Sequence, residues 1–191
     1  MSDRLIALKT RLAEVYDLNK VAALLSWDES VTMPPGGAQA RAPQTATVGR
    51  IAHELFVAPE VGRMLNDLET YEQSLPYDSD DASLIRVTRY DYEKARKVPA
   101  DLRSEMARVA SLARNAWAGA RASSDFKAFQ PFLQKTIDLK RRYVDCIGGG
   151  DDPYGVLLDD YERGMPTTEV RRIFAALKEA TVPLIAAVAE R

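Results

Sequence analysis

The segment LLSWDESVTMPPGGAQAR, residues 24–41, marks where one predicted helix ends and the next begins. The apolar stripe before it consists of Leu5, Leu8, Leu12, Val15, Leu18, Ala22 and Leu25. Steps of three and four between these residues predict an amphipathic helix from about Asp3 to Trp27. The proline pair at 34–35 ends the helix, because proline lacks an amide donor and restricts the residue before it. The glycine pair at 36–37 lets the chain reverse, so we expect a second helix to pack back on the first.

The rest of the chain repeats this alternation of helical stripes and helix stops. A second helix is predicted over Ala38–Phe56, and a short third helix begins at Pro59. A fourth helix is expected after a cap at Asp78 or Ser79, and a fifth after Val98-Pro99. The segment SSDF, 123–126, is a further cap, and Pro131 is expected to divide a short turn from a longer helix. After the glycines at 148–150, a short helix is expected from Asp151 to Tyr161, and Thr167 is expected to cap the last helix.

No segment alternates apolar and polar residues with β-branched enrichment, the pattern of a strand. We therefore predict an all-α array of about seven or eight helices that forms a single helical region over residues 1–191. The last stripe continues to Val188 without a glycine stop or turn cluster, whereas a domain normally finishes such a helix with a cap. This pattern favours a chain that belongs to a longer fold.

Composition excludes several classes of protein. The formal net charge is −2, so there is no electrostatic argument for a nucleic-acid partner, and Lys140-Arg141-Arg142 is interpreted as a solvated helix face. The most apolar late segment, 182–189, is too short to span a membrane, and the first residues do not resemble a secretory signal. A single cysteine, Cys146, excludes an internal disulfide framework. We expect a cytoplasmic protein.

The sequence offers no complete catalytic or metal-binding motif. His53 begins the pair His-Glu, but the second histidine of a His-Glu-x-x-His zinc motif is replaced by Val57. A Glu-x-x-His pair fails as well, because Arg50 stands three residues before His53. We therefore interpret His53 as a partly buried helix residue and Cys146 as a small apolar one. No catalytic, cofactor-binding or metal-binding residue is predicted in this chain.

The opening segment resembles the N-terminal signature of the carboxypeptidase Taq family of zinc metallocarboxypeptidases. The resemblance lies in Trp27-Asp28, Met33-Pro34, the glycine pair and Ala40-Arg41, in that order and spacing. It continues in AHEL (52–55), RYDYEKARKVPADL (89–102), AWAGARASSDFKAFQPFLQKTIDLKRRY (116–143), DPYGVLLDDYERGM (152–165) and FAALKEATVPLI (174–185). Two positions depart from the family pattern, Gly155 and Arg163, and they put only the local turn geometry in doubt.

The resemblance implies a helical enzyme with a deep groove that removes C-terminal residues from peptides with one divalent metal, usually zinc. The family's metal ligands, general base and carboxylate-binding arginines lie in segments that cannot be placed on residues 1–191. By this resemblance, the chain forms the N-terminal wall and lid of the groove. The substrate of the whole enzyme is a peptide, and the chain alone is expected to have no activity. The alternatives are a stand-alone helical interaction module and a split enzyme completed by a second polypeptide.

Two structural expectations follow for this chain. The Trp27 ring is expected to close the base of a helix pair, and Asp28 to accept a hydrogen bond from the indole or from a free amide of the following helix. If the chain was cut from a larger fold, an apolar face should be exposed and should promote association, including formation of homo-oligomers.

Overall fold

The computed structural model describes residues 3–190, and within that range it contains helices and turns but no β-strand. The helices are α1 (Asp3–Val31), α2 (Ala38–Phe56), α3 (Pro59–Asp67), α4 (Glu69–Gln73), α5 (Asp80–Ala95), α6 (Ala100–Ser123), α7 (Phe126–Ile147), α8 (Pro153–Leu158) and α9 (Thr167–Ala189). Only Leu68 separates α3 from α4, so these two count as one interrupted helix or as two. The all-α prediction is confirmed.

The chain divides into two compact units, residues 1–143 and 144–191, and each is described by itself. In the first unit, α2 lies between α1 and α6, and the N-terminal part of α1 packs on α3. The core cluster comprises Leu5, Leu8, Val61, Leu65, Leu68, Ile85 and Tyr92. Burial of each aliphatic side chain contributes about 1.5–3 kcal/mol, which offsets part of the entropy lost when this unit folds.

The connection between α1 and α2 follows the sequence pattern closely. The amides of Thr32 and Met33 both donate to the Asp28 carbonyl at 2.9 Å, which extends α1 one turn beyond its predicted end. A short 3-10 turn, Pro35–Gly37, then leads directly into α2. A Cβ on Gly37 would lie only 2.7 Å from Cγ of Met33, so the close approach of this side chain favours glycine there.

Pro43 and Pro131 both lie inside helices. The sequence pattern had suggested that Pro131 marks a helix boundary and that Pro43 is tolerated only near the first turn. The prediction that Pro131 divides a turn from a helix is wrong, because α7 is continuous from Phe126 to Ile147. Pro43 likewise lies inside α2. Each proline is the sixth residue of its helix and removes one backbone hydrogen bond, a loss that a helix of about 20 residues tolerates.

Several predicted caps differ in detail. Ser79 precedes α5, but its hydroxyl donates to the Pro76 carbonyl and no side chain caps the helix. Between α6 and α7, Asp125 is the residue that caps, since its Oδ1 accepts from the Ala128 amide at 3.3 Å. Thr167 is the first residue of α9 rather than its cap, which is Pro166. The helix α4 was not predicted, because its five residues are too few to show a period.

The second unit contains the end of α7, the short helix α8 and the long helix α9. The Asp152 side chain caps α8 by accepting from the Gly155 amide at 3.0 Å, and α8 ends at Leu158 rather than at the predicted Tyr161. A Cβ on Gly155 would lie 2.6 Å from Asp152 Oδ2, so a larger residue at this position would require the capping carboxylate to move. In the part of the chain that the structure describes, none of the helices has the length and apolar character needed to cross a membrane.

Candidate functional site

The most constrained polar cluster joins the end of α1 to the start of α2. Arg41 Nη2 lies 2.5 Å from Oδ2 of Asp28, and Nη1 donates to the Leu25 carbonyl at 2.8 Å. The Thr32 hydroxyl donates to the other carboxylate oxygen of Asp28. One guanidinium thus binds both a side chain and the backbone of the last turns of α1, where the helix dipole also favours a cation.

The electrostatics of this cluster favour an anchoring role for Asp28. Hydrogen bonds from Thr32 and Arg41 hold the pKa of Asp28 below its ordinary value, and they outweigh the small opposing effect of burial. The carboxylate is therefore ionised at neutral pH and has its proton-binding oxygens occupied by donors. Such a group fixes the angle between two helices and is a poor candidate for a general acid.

The prediction that Trp27 closes a helix pair is wrong. Its side chain is 58% exposed, and Asp28 accepts from Thr32 and Arg41 rather than from the indole or from a free amide of α2. Trp27 lies two residues beyond Leu25, a rotation of about 200° around the helix, so it points away from the buried stripe. With Leu24 and Val31, both also more than half exposed, it forms a second apolar stripe on α1 that is not packed in this chain.

His53 lies on α2, as the sequence indicated, and it is buried rather than only partly buried. Its Nε2–H donates to the Val98 carbonyl in the α5–α6 connection at 3.0 Å. Burial is the main cause that lowers the pKa of His53, and the charge of Arg103 lowers it further, against smaller raising effects of the Val98 bond and Glu54. The imidazole is therefore neutral and links α2 to the backbone that precedes α6.

The residues that the structure describes do not fit a metal ion. Among residues 3–190, no three histidine, cysteine, aspartate or glutamate side chains come close enough to hold one. The acidic residues near each candidate motif have other partners: Glu54 pairs with Arg50 at 2.8 Å, and Asp152 caps α8. Cys146 is half-buried. A divalent metal expected for a metallopeptidase therefore has no ligand set in the described residues.

The helix α9 carries a large apolar surface, defined here as the α9 apolar face. Its members, each more than half exposed, are Phe174, Leu177, Val182, Leu184, Ile185 and Val188. Steps of three, seven and four residues, each close to a whole number of helical turns, place 174, 177, 184 and 188 along one side of the helix. Exposed apolar patches of this kind mark surfaces that bind other protein segments.

Comparison with known proteins places the chain among helical metallopeptidases. The family model described as carboxypeptidase Taq (M32) metallopeptidase matches residues 7–191. Thermostable carboxypeptidase 1 of Thermus thermophilus is 33% identical over 181 residues, which cover 90% of this chain and 36% of that protein. Thermostable carboxypeptidase 1 of Pyrococcus furiosus is 30% identical, with 90% of this chain and 34% of that protein covered.

Solved structures agree with the sequence matches. The crystal structure of BsuCP superposes with a TM-score of 0.90 at 25% identity, covering 98% of this chain and 37% of that chain. The structure of Pyrococcus furiosus carboxypeptidase Apo-Mg gives a TM-score of 0.79 at 27% identity, covering 100% and 38%. The chain thus spans about a third of the length of the relatives it matches.

Proposed function

Because the chain belongs to the carboxypeptidase Taq (M32) family of metallopeptidases, we propose that it forms the N-terminal helical portion of a zinc-dependent metallocarboxypeptidase. The complete enzyme releases amino acids from the C-termini of peptides. The proposal is supported by the family match over residues 7–191 and by relatives in which a matching segment makes up about a third of the protein. A cytoplasmic location is part of the proposal, and a single cysteine suits a reducing compartment.

In this proposal the chain supplies scaffold and the remaining polypeptide supplies the chemistry. The metal ligands, the general base and the arginines that hold the substrate carboxylate all lie outside residues 1–191. The two anchors described above then have structural roles: Arg41 sets the angle between α1 and α2, and His53 ties α2 to the start of α6. The chain alone is expected to be inactive.

The family match over residues 7–191 carries the proposal, and the α9 apolar face indicates where the remaining polypeptide would pack. Burial of apolar surface is favourable by about 25 cal/mol per Å², so a helix with six large apolar side chains exposed is more stable against a partner than in water. This chain covers only 37% of BsuCP and 38% of the Pyrococcus furiosus carboxypeptidase, so most of the polypeptide of each relative lies outside the matching segment. We propose that this further polypeptide covers the α9 apolar face in the complete enzyme.

The same face also supports a second candidate, a non-catalytic helical module that binds a separate protein. The two candidates differ in the coding sequence after codon 191. An in-frame continuation that encodes His-Glu-x-x-His would support the enzyme portion. A stop codon together with an independently folding product would support the module, and co-purification with a zinc-bearing polypeptide would identify a split enzyme.

A biochemical experiment tests the inactivity of the chain. The purified 191-residue chain is dialysed against zinc, analysed for bound metal and incubated with peptides that have free C-termini. We expect substoichiometric zinc and no release of amino acids, since the described residues provide no ligand set. One zinc ion per chain together with peptide hydrolysis would contradict the proposal.

A further inference from the structure

The exposed side of α1 carries a second regular pattern, apart from the stripe that packs on α2 and α3. It recurs in alternating steps of four and three residues and is defined here as the α1 seam: Ile6, Thr10, Ala13, Asp17, Lys20, Leu24, Trp27 and Val31. Every member is exposed, and Leu24, Trp27 and Val31 are each more than half exposed. Alternating steps of four and three are the period at which two helices stay in contact along their length. The α1 seam therefore has the geometry of a helix–helix contact that none of the described helices fills.

The side-chain sizes along the α1 seam complement each other when two copies of α1 run in opposite directions. The midpoint of the seam lies between residues 18 and 19, and antiparallel pairing about this point places Leu24 opposite Ala13 of the second copy. Trp27 lies opposite Thr10 in the same way, and the two apolar ends of the seam lie opposite each other. Large residues that face small ones fill the space between two helices without voids or overlap.

The charges of the α1 seam complement each other about the same midpoint. Antiparallel pairing places Asp17 of each copy opposite Lys20 of the other. Within the part of the chain that the structure describes, neither charge has an ion-pair partner, and the Lys20 ammonium lies 4.8 Å from the centre of the Tyr16 ring. A parallel pair in register would instead bring like charges together, which is unfavourable. The charges therefore select the antiparallel direction.

We propose that the α1 seam binds the α1 seam of a second copy of this chain, in an antiparallel pair with a two-fold axis between residues 18 and 19. Such an interface is closed, because each copy offers the same surface to the other. The competing occupant is the polypeptide that lies outside the matching segment of the relatives. A contact with an unrelated segment does not require the sizes and the charges of α1 to match about one common midpoint, whereas a contact between two copies does.

The dimer formed through the α1 seam is weak. The contact comprises one helix pair about 37 Å long, with two charged positions per chain at its centre. We expect a dissociation constant of roughly 10–100 μM, as for small interfaces. Unfolding measured at lower concentrations therefore reports on the single chain.

Charge reversal tests the pairing of Asp17 with Lys20. All variants carry Leu177→Glu, which weakens association through the α9 apolar face, and sedimentation equilibrium over about 5–500 μM brackets the expected dissociation constant. Lys20→Asp and Asp17→Lys each place like charges opposite each other and should weaken the dimer about tenfold or more. The double variant with both substitutions should regain the affinity of the unmodified seam. Lys127→Asp makes the same charge change at an exposed position of α7 and should leave the affinity unchanged.

Disulfide cross-linking tests the direction of the pair. Cys146, the single cysteine, is first replaced by alanine, and chains with Ala13→Cys are mixed with chains of different mass that carry Leu24→Cys. Oxidation should join one chain of each kind. Two chains with Ala13→Cys should not cross-link, because in the antiparallel pair these residues lie about 16 Å apart along the axis and a disulfide requires Cα atoms within about 7 Å. Circular dichroism checks that each variant remains helical.

Three results would overturn the proposal: a monomer up to the highest concentration in the Leu177→Glu chain, equal affinities in Lys20→Asp and Lys127→Asp, or cross-links mainly between two chains with Ala13→Cys. Failure of the double charge reversal to restore the dimer would also overturn it, since an unrelated contact surface gains nothing from exchanging the two charges. None of these results affects the proposed function, which is tested by zinc content and by the downstream coding sequence.

Discussion

Arg41 of α2 and Asp28 of α1 form an ion pair whose guanidinium also binds the Leu25 carbonyl. The arginine side chain is 17% exposed, so little water replaces these contacts when they are lost. The pair joins the two ends of the segment that reverses the chain between α1 and α2. The ion pair explains why Asp28 and Arg41 occur in this segment without assigning either residue a catalytic role.

We expect Arg41→Ala to lower the free energy of unfolding by about 1–3 kcal/mol, because it removes a largely buried guanidinium that binds both the Asp28 carboxylate and the Leu25 carbonyl. The control is Arg50→Ala, which removes an exposed pair between residues four apart on α2 and should cost about 0.5 kcal/mol or less. Urea unfolding followed by circular dichroism measures both. Equal losses would show that Arg41 contributes no more than a surface charge.

The single histidine makes the pH dependence of stability simple to interpret near neutrality. The pKa of His53 lies below 6.5 in the folded chain, so the unfolded chain binds a proton first as the pH falls. Stability should therefore be constant above about pH 7 and decrease as the pH falls below 6.5. Urea midpoints between pH 8 and pH 5 measure this trend.

The matched variant for that trend is His53→Gln, which has no titratable group at the position. At pH 8 this variant should be less stable than the unmodified chain, because the substitution disturbs the hydrogen bond to the Val98 carbonyl. Its free energy of unfolding should change little between pH 8 and pH 5. An equal slope in both proteins over this range would assign the titration to other groups.

We expect Trp27→Ala to change the free energy of unfolding by about 0.5 kcal/mol or less, as for other exposed substitutions. Leu65→Ala, in the core cluster, should lower it by about 2–5 kcal/mol. Thermal melts of both variants measure the difference. A loss at Trp27 comparable to that at Leu65 would mean that the indole is packed in solution.

The Trp27 result shows what sequence reasoning could and could not predict. The apolar period and its flanking prolines and glycines predicted the bounds of α2 correctly. The same period predicted that Leu5 and Leu8 are buried, because the apolar stripe of a helix is the side that packs on its neighbours. A chain that spans about a third of its relatives has apolar residues on other sides as well. Residues such as Trp27 then look like core in the sequence and are exposed in this chain.

The polar contacts were harder to predict for a different reason. Asp28 was expected to accept from the indole or a free amide, whereas its partner Arg41 lies thirteen residues away on another helix. A capping pattern covers only three or four residues, so it cannot identify such a partner. The contact between α6 and α7 depends on the left-handed backbone of Ser124 and on the ion pair between Glu105 and Lys135, which lie thirty residues apart and have no local sequence signal.

The last prediction concerns association through the α9 apolar face. Each member of this face is more than half exposed, so we expect dimers or larger species of the chain at micromolar concentrations. Leu177→Glu places a charge within the face and should shift the chain towards monomer. Thr168→Glu adds the same charge at an exposed position in the first turn of α9 and should leave the distribution unchanged. Light scattering after size-exclusion chromatography distinguishes these outcomes. A monomer at high concentration, or an equal shift in both variants, would argue against α9 as the associating surface.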